Sequence, residues 1–188
     1  MNLGELYSIL LRDKPSSCII KNEDKIFSLI PELKACKGFN QNNEWHVYDV
    51  YNHILHVVDN VSPDLTLRLA ALFHDIGKPI SYTEDENHVG HFFGHWEESR
   101  KIFEKFAFKY NIDEYRSKII SNLIFYHDLN VFKLSDERIF SLFTKDDIIL
   151  LYKLKRADLL AQNKKYHYIL NDYDDQEKKI LLKYDKWI

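Results

Sequence analysis

The sequence predicts an all-α protein of about seven or eight helices, and three observations lead to that prediction. Apolar residues recur at helical spacing along nearly the whole chain. The five glycines are too few for the turns of a many-stranded sheet, and their spacing excludes the glycine-rich phosphate loops of Rossmann and P-loop proteins. No linker rich in proline, glycine or serine interrupts the 188 residues, so we expect the chain to fold around one core.

Three regions are expected along the chain. Residues 1–44 are predicted to form a helical extension packed on the core, residues 45–165 the main domain, and residues 166–188 a charged C-terminal helix. In the extension, apolar positions mark two short helices, the second ending before Pro31. These positions are Leu3, Leu6, Ile9 and Leu10 in the first helix and Ile26, Phe27 and Ile30 in the second.

The first two helices of the main domain have start and stop signals. Asp49 is predicted to cap a helix with an apolar stripe at i, i+3, i+4, i+7 and i+8. Ser62 and Pro63 are predicted to be the N-cap and the first residue of the next helix. That helix is expected to end at Gly77, with Pro79 beyond it.

The rest of the main domain begins with a polar segment, residues 80–93, which is predicted to be irregular and is considered as a lid. Helices are then expected over 95–110, from Asp113, over 135–143 and from Thr144. Asp113 and Thr144 suit helix starts because their side-chain oxygens can accept bonds from the first free amides.

The composition of the chain indicates which binding partners and which cellular compartment to expect. The formal charge of −3, from 26 basic and 29 acidic residues, provides no basic block for general binding of RNA or DNA. No stretch approaches the roughly 20 apolar residues of a membrane span, and the N-terminus lacks the basic start of a signal peptide. Cys18 and Cys36 have neither metal-binding nor redox spacing. We therefore expect a cytoplasmic protein without a membrane partner.

Several polar side chains stand where helical spacing predicts an apolar face. They are His53, the pair His74 and Asp75, His127 and Asp158. Taken singly, each has an ordinary alternative, namely a hydrogen-bonded core histidine or, for Asp158, a salt bridge with Arg68 or Arg156. An unpaired buried carboxylate is costly, so their joint occurrence favours one divalent metal centre that compensates all of them.

Around these residues the chain resembles the HD superfamily of metal-dependent phosphohydrolases. The most specific motif is HDIGKP at 74–79, which closes an apolar helix 21 residues after His53. The other matching segments are EWHVYDVYNHILHVVDN (44–60), LRLAALFHDIGKP (67–79), FFGHWEESRKIF (92–103), IFYHD (124–128) and KRADLLAQN (155–163). The GHWEES segment is most similar to the HD domain that follows the nucleotidyltransferase head in bacterial tRNA CCA-adding enzymes. The 44 preceding residues are too few for that head, so a free-standing relative is expected.

The resemblance implies an HD-domain helical bundle and a set of metal ligands. The four core ligands would be His53, His74, Asp75 and Asp158, and the two extra histidines of dinuclear members would be His95 and His127. Asp75 would then bridge two ions. One or two divalent transition metals are implied, and imidazole with carboxylate suits Fe, Mn, Zn, Ni or Co.

The resemblance also implies an activity, hydrolysis of a phosphomonoester or phosphodiester by a metal-activated water. The expected substrate is a small phosphoester or nucleotide, including 2′,3′-cyclic nucleotides because of the likeness to tRNA-processing domains. The candidate catalytic residues are Asp75, Lys78 and His46. Lys78 would contact a phosphate, and His46 or Lys78 would protonate the leaving group. The alternative for Lys78 is a solvated lysine at a helix end.

Two other functions stay open on sequence grounds. A di-iron oxygenase of the inositol-oxygenase type uses the same ligand pattern, so ligand identity does not separate the two chemistries. A non-catalytic, metal-stabilised module binding a nucleotide or RNA is the third possibility. Its basic strip would comprise Lys153, Lys155, Arg156, Lys164 and Lys165. On a helix these residues fall on more than one face, which favours an ordinary solvated surface.

Overall fold

A computed structural model describes residues 1–186, and it confirms the predicted all-α fold. The described residues form twelve α-helices and one two-stranded hairpin. The helices are α1 (Leu3–Leu10), α2 (Ser16–Lys21), α3 (Glu23–Leu29), α4 (Pro31–Cys36), α5 (Val50–Asn60), α6 (Leu65–Phe73), α7 (Lys78–Ser81), α8 (His95–Lys109), α9 (Glu114–Tyr126), α10 (Asp136–Leu142), α11 (Lys145–Leu160) and α12 (Ile169–Tyr184). The antiparallel strands are β1 (Thr83–Glu84) and β2 (Gly90–His91).

The helices outnumber the seven or eight expected, mainly because the first 44 residues form four short helices instead of two. Asn2 and Glu5 form a capping box that starts α1. Pro31, expected only to end a helix, is the first residue of α4, where its missing amide hydrogen costs nothing. The apolar faces of these helices join the main core, with α1 packed on α6 and both α2 and α4 packed on α5.

Four helices, α5, α6, α9 and α11, pack against one another at the centre of the molecule. α8 packs on α9 and α7. The predicted caps are present at three helix starts. Asp49 accepts the Asn52 amide at 2.7 Å, Asp113 accepts the Arg116 amide at 2.9 Å, and Thr144 begins α11 with a capping box. The caps and the apolar faces together place the ends of these helices around one point in the interior.

The bounds of α6 differ from the predicted ones at both ends. The helix begins at Leu65 rather than at Pro63, because Asp64 accepts the Leu67 amide at 2.9 Å and takes the cap position predicted for Ser62. It ends at Phe73, four residues before Gly77. A turn over 74–77 follows, and Pro79 lies in the first turn of α7 instead of beyond the last helix residue. This turn carries two of the predicted ligands.

The segment predicted to be irregular, residues 80–93, contains the hairpin of β1 and β2. Its second strand is fixed to the loop before α5, since the Gly90 amide donates to the Asn42 carbonyl at 2.8 Å and the Asn43 side chain donates to the Gly90 carbonyl at 3.3 Å. A Cβ on Gly90 would overlap the carbonyl oxygen of Gln41. The base of the predicted lid is therefore attached to a neighbouring loop.

The C-terminal helix packs on α11 and is not a free tail. It begins at Ile169 because a 3₁₀ turn, Lys164–Tyr166, occupies the start of the predicted range. Ile180 is buried, and the Tyr184 hydroxyl donates to the Phe143 carbonyl at 2.7 Å. The end of the predicted helix, 187–188, lies outside the described residues. Within residues 1–186, no helix combines the length and apolar character that crossing a membrane requires.

Candidate metal centre

All six side chains predicted to be ligands meet in the interior, and all six are buried. Each comes from the middle or the end of a central helix. His53 lies in α5, His74 and Asp75 follow α6, His95 is the first residue of α8, His127 follows α9, and Asp158 lies in the last turn of α11. Their convergence follows from helix packing, because α5, α6, α8, α9 and α11 are each in contact with at least two of the others.

Two histidines and two carboxylates, Asp75 among them, form a first group. His53 Nε2 lies 3.0 Å from Asp158 Oδ1 and 3.3 Å from Asp75 Oδ2. His74 Nε2 lies 3.3 Å from both Asp75 Oδ2 and His53 Nε2, and 3.9 Å from Asp158 Oδ1. Donor atoms bound at about 2.1 Å to one ion lie about 3.0–3.4 Å apart, so all of these separations except that of His74 from Asp158 suit a shared cation as they stand.

The other two histidines form a second group around the other oxygen of Asp75. His95 Nε2 lies 3.2 Å and His127 Nε2 3.4 Å from Asp75 Oδ1. The two Nε2 atoms are 3.3 Å apart. Asp75 therefore stands between two ligand groups, with one carboxylate oxygen turned to each, which is the geometry of a bridging carboxylate.

The carboxylate of Asp75 fits a metal better than it fits the protein around it. Both of its oxygens are fully buried, and the Lys78 ammonium lies 2.6 Å from Oδ2 as an ion pair, but neither oxygen accepts a well-directed hydrogen bond from the described residues. Burial by itself raises the pKa of a carboxyl, but the charges of His74 and Lys78 outweigh this and hold the pKa of Asp75 well below its usual value. Lys78 compensates only the Oδ2 side of this ionised, buried carboxylate, and metal ions would provide further positive charge, including on the Oδ1 side.

Three of the histidines are oriented so that Nε2 faces the centre. In each, Nδ1 lies near the carbonyl oxygen three residues earlier, at 2.8 Å for His74, 2.8 Å for His95 and 2.6 Å for His127. A carbonyl can only accept, so Nδ1 carries a proton, and in the neutral ring Nε2 is the nitrogen left to bind a metal. His53 differs, because its Nδ1 is buried without a partner among the described residues.

His53 and Asp158 compensate each other when no metal is bound. Burial lowers the pKa of His53, but hydrogen bonds to Asp158 and Asp75 outweigh it and raise that pKa to about 9. Burial raises the pKa of Asp158, but the hydrogen bond from His53 holds it well below its usual value. A metal held by His53 and Asp158 would replace the proton that the raised pKa of His53 favours in the metal-free protein.

The remaining candidate catalytic residues, Lys78 and His46, lie beside the first group. Lys78 is buried, with Nζ 2.6 Å from Asp75 Oδ2, 2.8 Å from Gln41 Oε1 and 3.2 Å from His46 Nε2. The Nδ1 of His46 lies 2.7 Å from Asn43 Oδ1. Burial and the nearby Lys78 charge lower the pKa of His46 to about 2, so its ring is neutral. The buried ammonium therefore donates to Gln41 and His46 and forms an ion pair with Asp75, so Lys78 is not the solvated lysine of the alternative interpretation.

The arginines offered as partners for Asp158 do not pair with it in the described structure. Arg68 is buried and donates to backbone carbonyls of residues 12, 13, 58 and 62. Arg156 pairs with Asp174 at 2.7 Å and with Glu177. The salt-bridge alternative for Asp158 is therefore wrong, and Asp158 faces the histidines instead.

Three of the five residues of the basic strip considered for RNA binding are buried or paired with acidic side chains in the described structure. Lys155 is buried and donates to two backbone carbonyls, Arg156 is neutralised by two acids, and Lys165 pairs with Glu44 at 2.6 Å. Sequence reasoning placed Lys155 on the surface, although its position three residues before Asp158 puts both on one helix face. Sequence reasoning also missed two residues that contact a candidate ligand or the turn that carries two of them. The Ser99 hydroxyl accepts a hydrogen bond from the Gly77 amide, and the Gln162 side chain donates to Asp158 Oδ1 at 3.1 Å.

A cavity of about 530 Å³ opens from the centre to the surface. Asp75, His95, His127 and Asp158 lie at its base. Its walls include several aromatic side chains and two amides; these are Trp45, Phe92, Phe93, Trp96 and Tyr173, with Asn43 and Gln162. Three neighbouring tyrosines do not line the cavity: Tyr51 and Tyr126 belong to the core, and Tyr48 stacks on His56.

The fold and the site define a class of protein, an α-helical bundle whose interior brings together histidines and aspartates that could hold a metal ion. The family model for the HD domain matches residues 45–163, well over half of the chain. The chain therefore belongs to the HD-domain family, whose members are in general metal-dependent phosphohydrolases, and the resemblance seen in the sequence is confirmed.

One curated relative is the multifunctional CCA protein of Shewanella frigidimarina (strain NCIMB 400), which is 29% identical over 136 residues. The match covers 69% of this chain and 32% of that protein. The chain thus spans about a third of the length of the curated relative, and the similarity supports the likeness to the HD domains of CCA-adding enzymes.

Proposed function

We propose that the protein hydrolyses a phosphomonoester or phosphodiester bond with a metal-activated water. The observation that carries the proposal is the position of Asp75, whose two oxygens face separate ligand groups 3.2–3.4 Å away. His53, His74 and Asp158 would hold one divalent ion with Asp75, and His95 and His127 the second. Fe, Mn, Zn, Ni and Co all suit such ligands. Bound metal supplies a hydroxide near neutral pH and offsets charge on the phosphoryl oxygens.

The residues around the centre favour an anionic substrate. Lys78 places a positive charge at the base of the cavity, held between Asp75, Gln41 and His46. To contact a phosphate, the Lys78 ammonium would give up one of its present partners and donate to a phosphate oxygen instead. His46 accepts from Lys78 and is neutral, so as a general acid it would have to receive a proton first, whereas Lys78 carries one already. We therefore assign protonation of the leaving group to Lys78 before His46.

The cavity walls favour a substrate with a planar ring, which points to a nucleotide or a 2′,3′-cyclic nucleotide. Phe93 is 78% exposed, lines the cavity, and stacks on His91 with the ring planes 8° apart. Trp45 stacks on Tyr166 at 3.6 Å on another wall. Aromatic faces hold bases by stacking, and the amides of Asn43 and Gln162 can hydrogen-bond a base edge. A cavity of about 530 Å³ falls in the range of small-molecule sites.

The contacts at the ends of the matched region support the proposed three-part division at 44 and 165. The Asn163 amide donates to the Trp45 carbonyl at 2.8 Å, and its side chain donates to the Glu44 carbonyl at 3.1 Å. Lys165 pairs with Glu44 at 2.6 Å. The two ends of the proposed HD domain are thus joined to each other at one edge of the cavity. A cytoplasmic location remains a prediction from the sequence.

The test is turnover by protein stripped with a chelator and then refilled with Mn²⁺, Co²⁺ or Ni²⁺. We expect release of phosphate or alcohol from a panel of nucleoside monophosphates, 2′,3′-cyclic nucleotides and aryl phosphates, and none without metal. Asp75→Ala should lose metal and turnover together, whereas Lys78→Met should keep metal and lose turnover. If the whole panel stays intact while elemental analysis shows a filled centre, hydrolysis is excluded. Oxygen consumption with a reductant would then support the di-iron oxygenase.

A further inference from the structure

Lys155 is a buried cation that the proposed reaction does not use. Its side chain is 4% exposed, and its ammonium donates to the carbonyl oxygens of His127 at 2.5 Å and Leu129 at 2.8 Å. Burying an ammonium is costly unless its donors find acceptors. Both acceptors lie in one short segment immediately after α9, so the lysine holds that segment in place.

This segment carries a candidate ligand of the second group. The last carbonyls of a helix have no partner within the helix and form the negative end of its dipole, where a cation is favoured. His127 follows the end of α9 directly, and its ring is oriented by the bond from Nδ1 to the Ile124 carbonyl at 2.6 Å. Lys155 binds the carbonyl of the same residue, so the ring and the main chain of His127 are both held.

The same lysine links the two ligand groups. Lys155 lies on α11 one turn before Asp158, which belongs to the first group, while His127 belongs to the second. Its two bonds therefore fix the end of α9 against α11, and with it the distance of His127 from Asp75. We infer that Lys155 is the positioning residue for His127 and thereby for binding of the second ion. The inference rests on the two-ion centre of the proposed function.

The experiment is a titration of metal-free protein with Mn²⁺. Binding is measured by calorimetry, and formation of the coupled ion pair is measured by EPR. The unmodified protein should bind two equivalents. Lys155→Met keeps the aliphatic stem and removes the donors, so the first equivalent should be unchanged and the second weakened roughly 10–100-fold, the usual effect of losing a partner that orients a ligand. The EPR signal of the coupled pair should disappear at matched metal concentration. Lys155→Gln, a smaller perturbation, should weaken the second equivalent in the same direction if the methionine variant does not fold.

Arg68→Met is the matched control, because Arg68 is also a buried cation that donates to backbone carbonyls, none of them from a candidate ligand. It should keep both equivalents. Two unchanged equivalents in a folded Lys155 variant would overturn the inference, as would an equal loss in Arg68→Met. A single equivalent in the unmodified protein would overturn the two-ion proposal itself, and it would appear before any substitution is made.

Discussion

The backbone amide of Gly77 donates to the hydroxyl of Ser99 at 2.9 Å, and this contact joins the two segments that carry Asp75 and His95. A Cβ on Gly77 would lie 2.5 Å from the Ser99 nitrogen and 2.7 Å from the His95 carbonyl oxygen. Only glycine permits this approach. The glycine of the HDIG motif therefore contributes to the centre through packing, by letting α8 begin against the turn after α6.

Gly77→Ala should separate these segments and weaken the second ligand group. The methyl group meets backbone atoms that cannot rotate away, and overpacking of this kind costs about 1–3 kcal/mol. We expect a lower free energy of unfolding in urea and weaker binding of the second Mn²⁺ equivalent. Gly4→Ala is the control, since its Cβ would meet only ordinary contact at 3.4 Å from the Asn2 side chain. Equal stability of both variants would contradict the packing role of Gly77.

Loss of a single histidine should distinguish the two ligand groups. His95→Ala removes a ligand from the second group only, so one equivalent of metal should remain and turnover should fall. His74→Ala removes a ligand from the first group and should lose that ion, with a less stable fold because the remaining buried ligands then lack a shared cation. The measurement is elemental analysis after gel filtration. His88→Ala, at an exposed position in the hairpin, should retain both ions, and equal losses in all three variants would refute the assignment.

The sequence predicted which six side chains meet in the interior, because five of them are polar residues on otherwise apolar helix faces, whereas His95 was indicated only by the family resemblance; their role as ligands stays a prediction. His53 and Asp158 show this pattern directly, and the HDIG motif locates His74 and Asp75. The partners of the ligands were harder to predict. Lys155 resembles a surface lysine because a charged residue gives no sign of burial in its local spacing, and its acceptors are 26 and 28 residues away.

The predicted helix bounds were wrong where two neighbouring residues could each start or end the helix and tertiary contacts decide between them. Ser62 and Asp64 are both good N-caps, and the Arg68 side chain binds the Ser62 carbonyl at 3.1 Å, which leaves Asp64 to cap α6. The end of α6 at Phe73 also differs from the prediction, because a turn over 74–77 separates α6 from α7 where the sequence offered Gly77 as the stop.

Phe93 should contribute to binding of a ring-bearing substrate. Phe93→Leu keeps an apolar side chain but removes the flat face, and stacking on an aromatic side chain contributes about 1–3 kcal/mol per base. We expect KM for a nucleotide to rise roughly 5–150-fold with little change in kcat, and KM for glycerol phosphate to stay the same. Phe108→Leu is the control, because Phe108 is 88% exposed on α8 and does not line the cavity. An unchanged nucleotide KM in Phe93→Leu would exclude stacking at this position.

Bound transition metal should stabilise the fold, because the buried carboxylates of Asp75 and Asp158 then face an ion instead of protonated histidine. A ligand that binds only the folded state at about 100 times its Kd adds roughly 2.7 kcal/mol, which for a chain of this size raises Tm by about 5–10 °C. Differential scanning calorimetry with Mn²⁺ should show this rise. Ca²⁺ should produce little change, since it prefers six to eight oxygen ligands and the centre offers mostly imidazole nitrogen. Asp75→Asn should abolish most of the Mn²⁺ effect because the bridging charge is gone, and an equal Tm rise in this variant would show that the metal binds elsewhere.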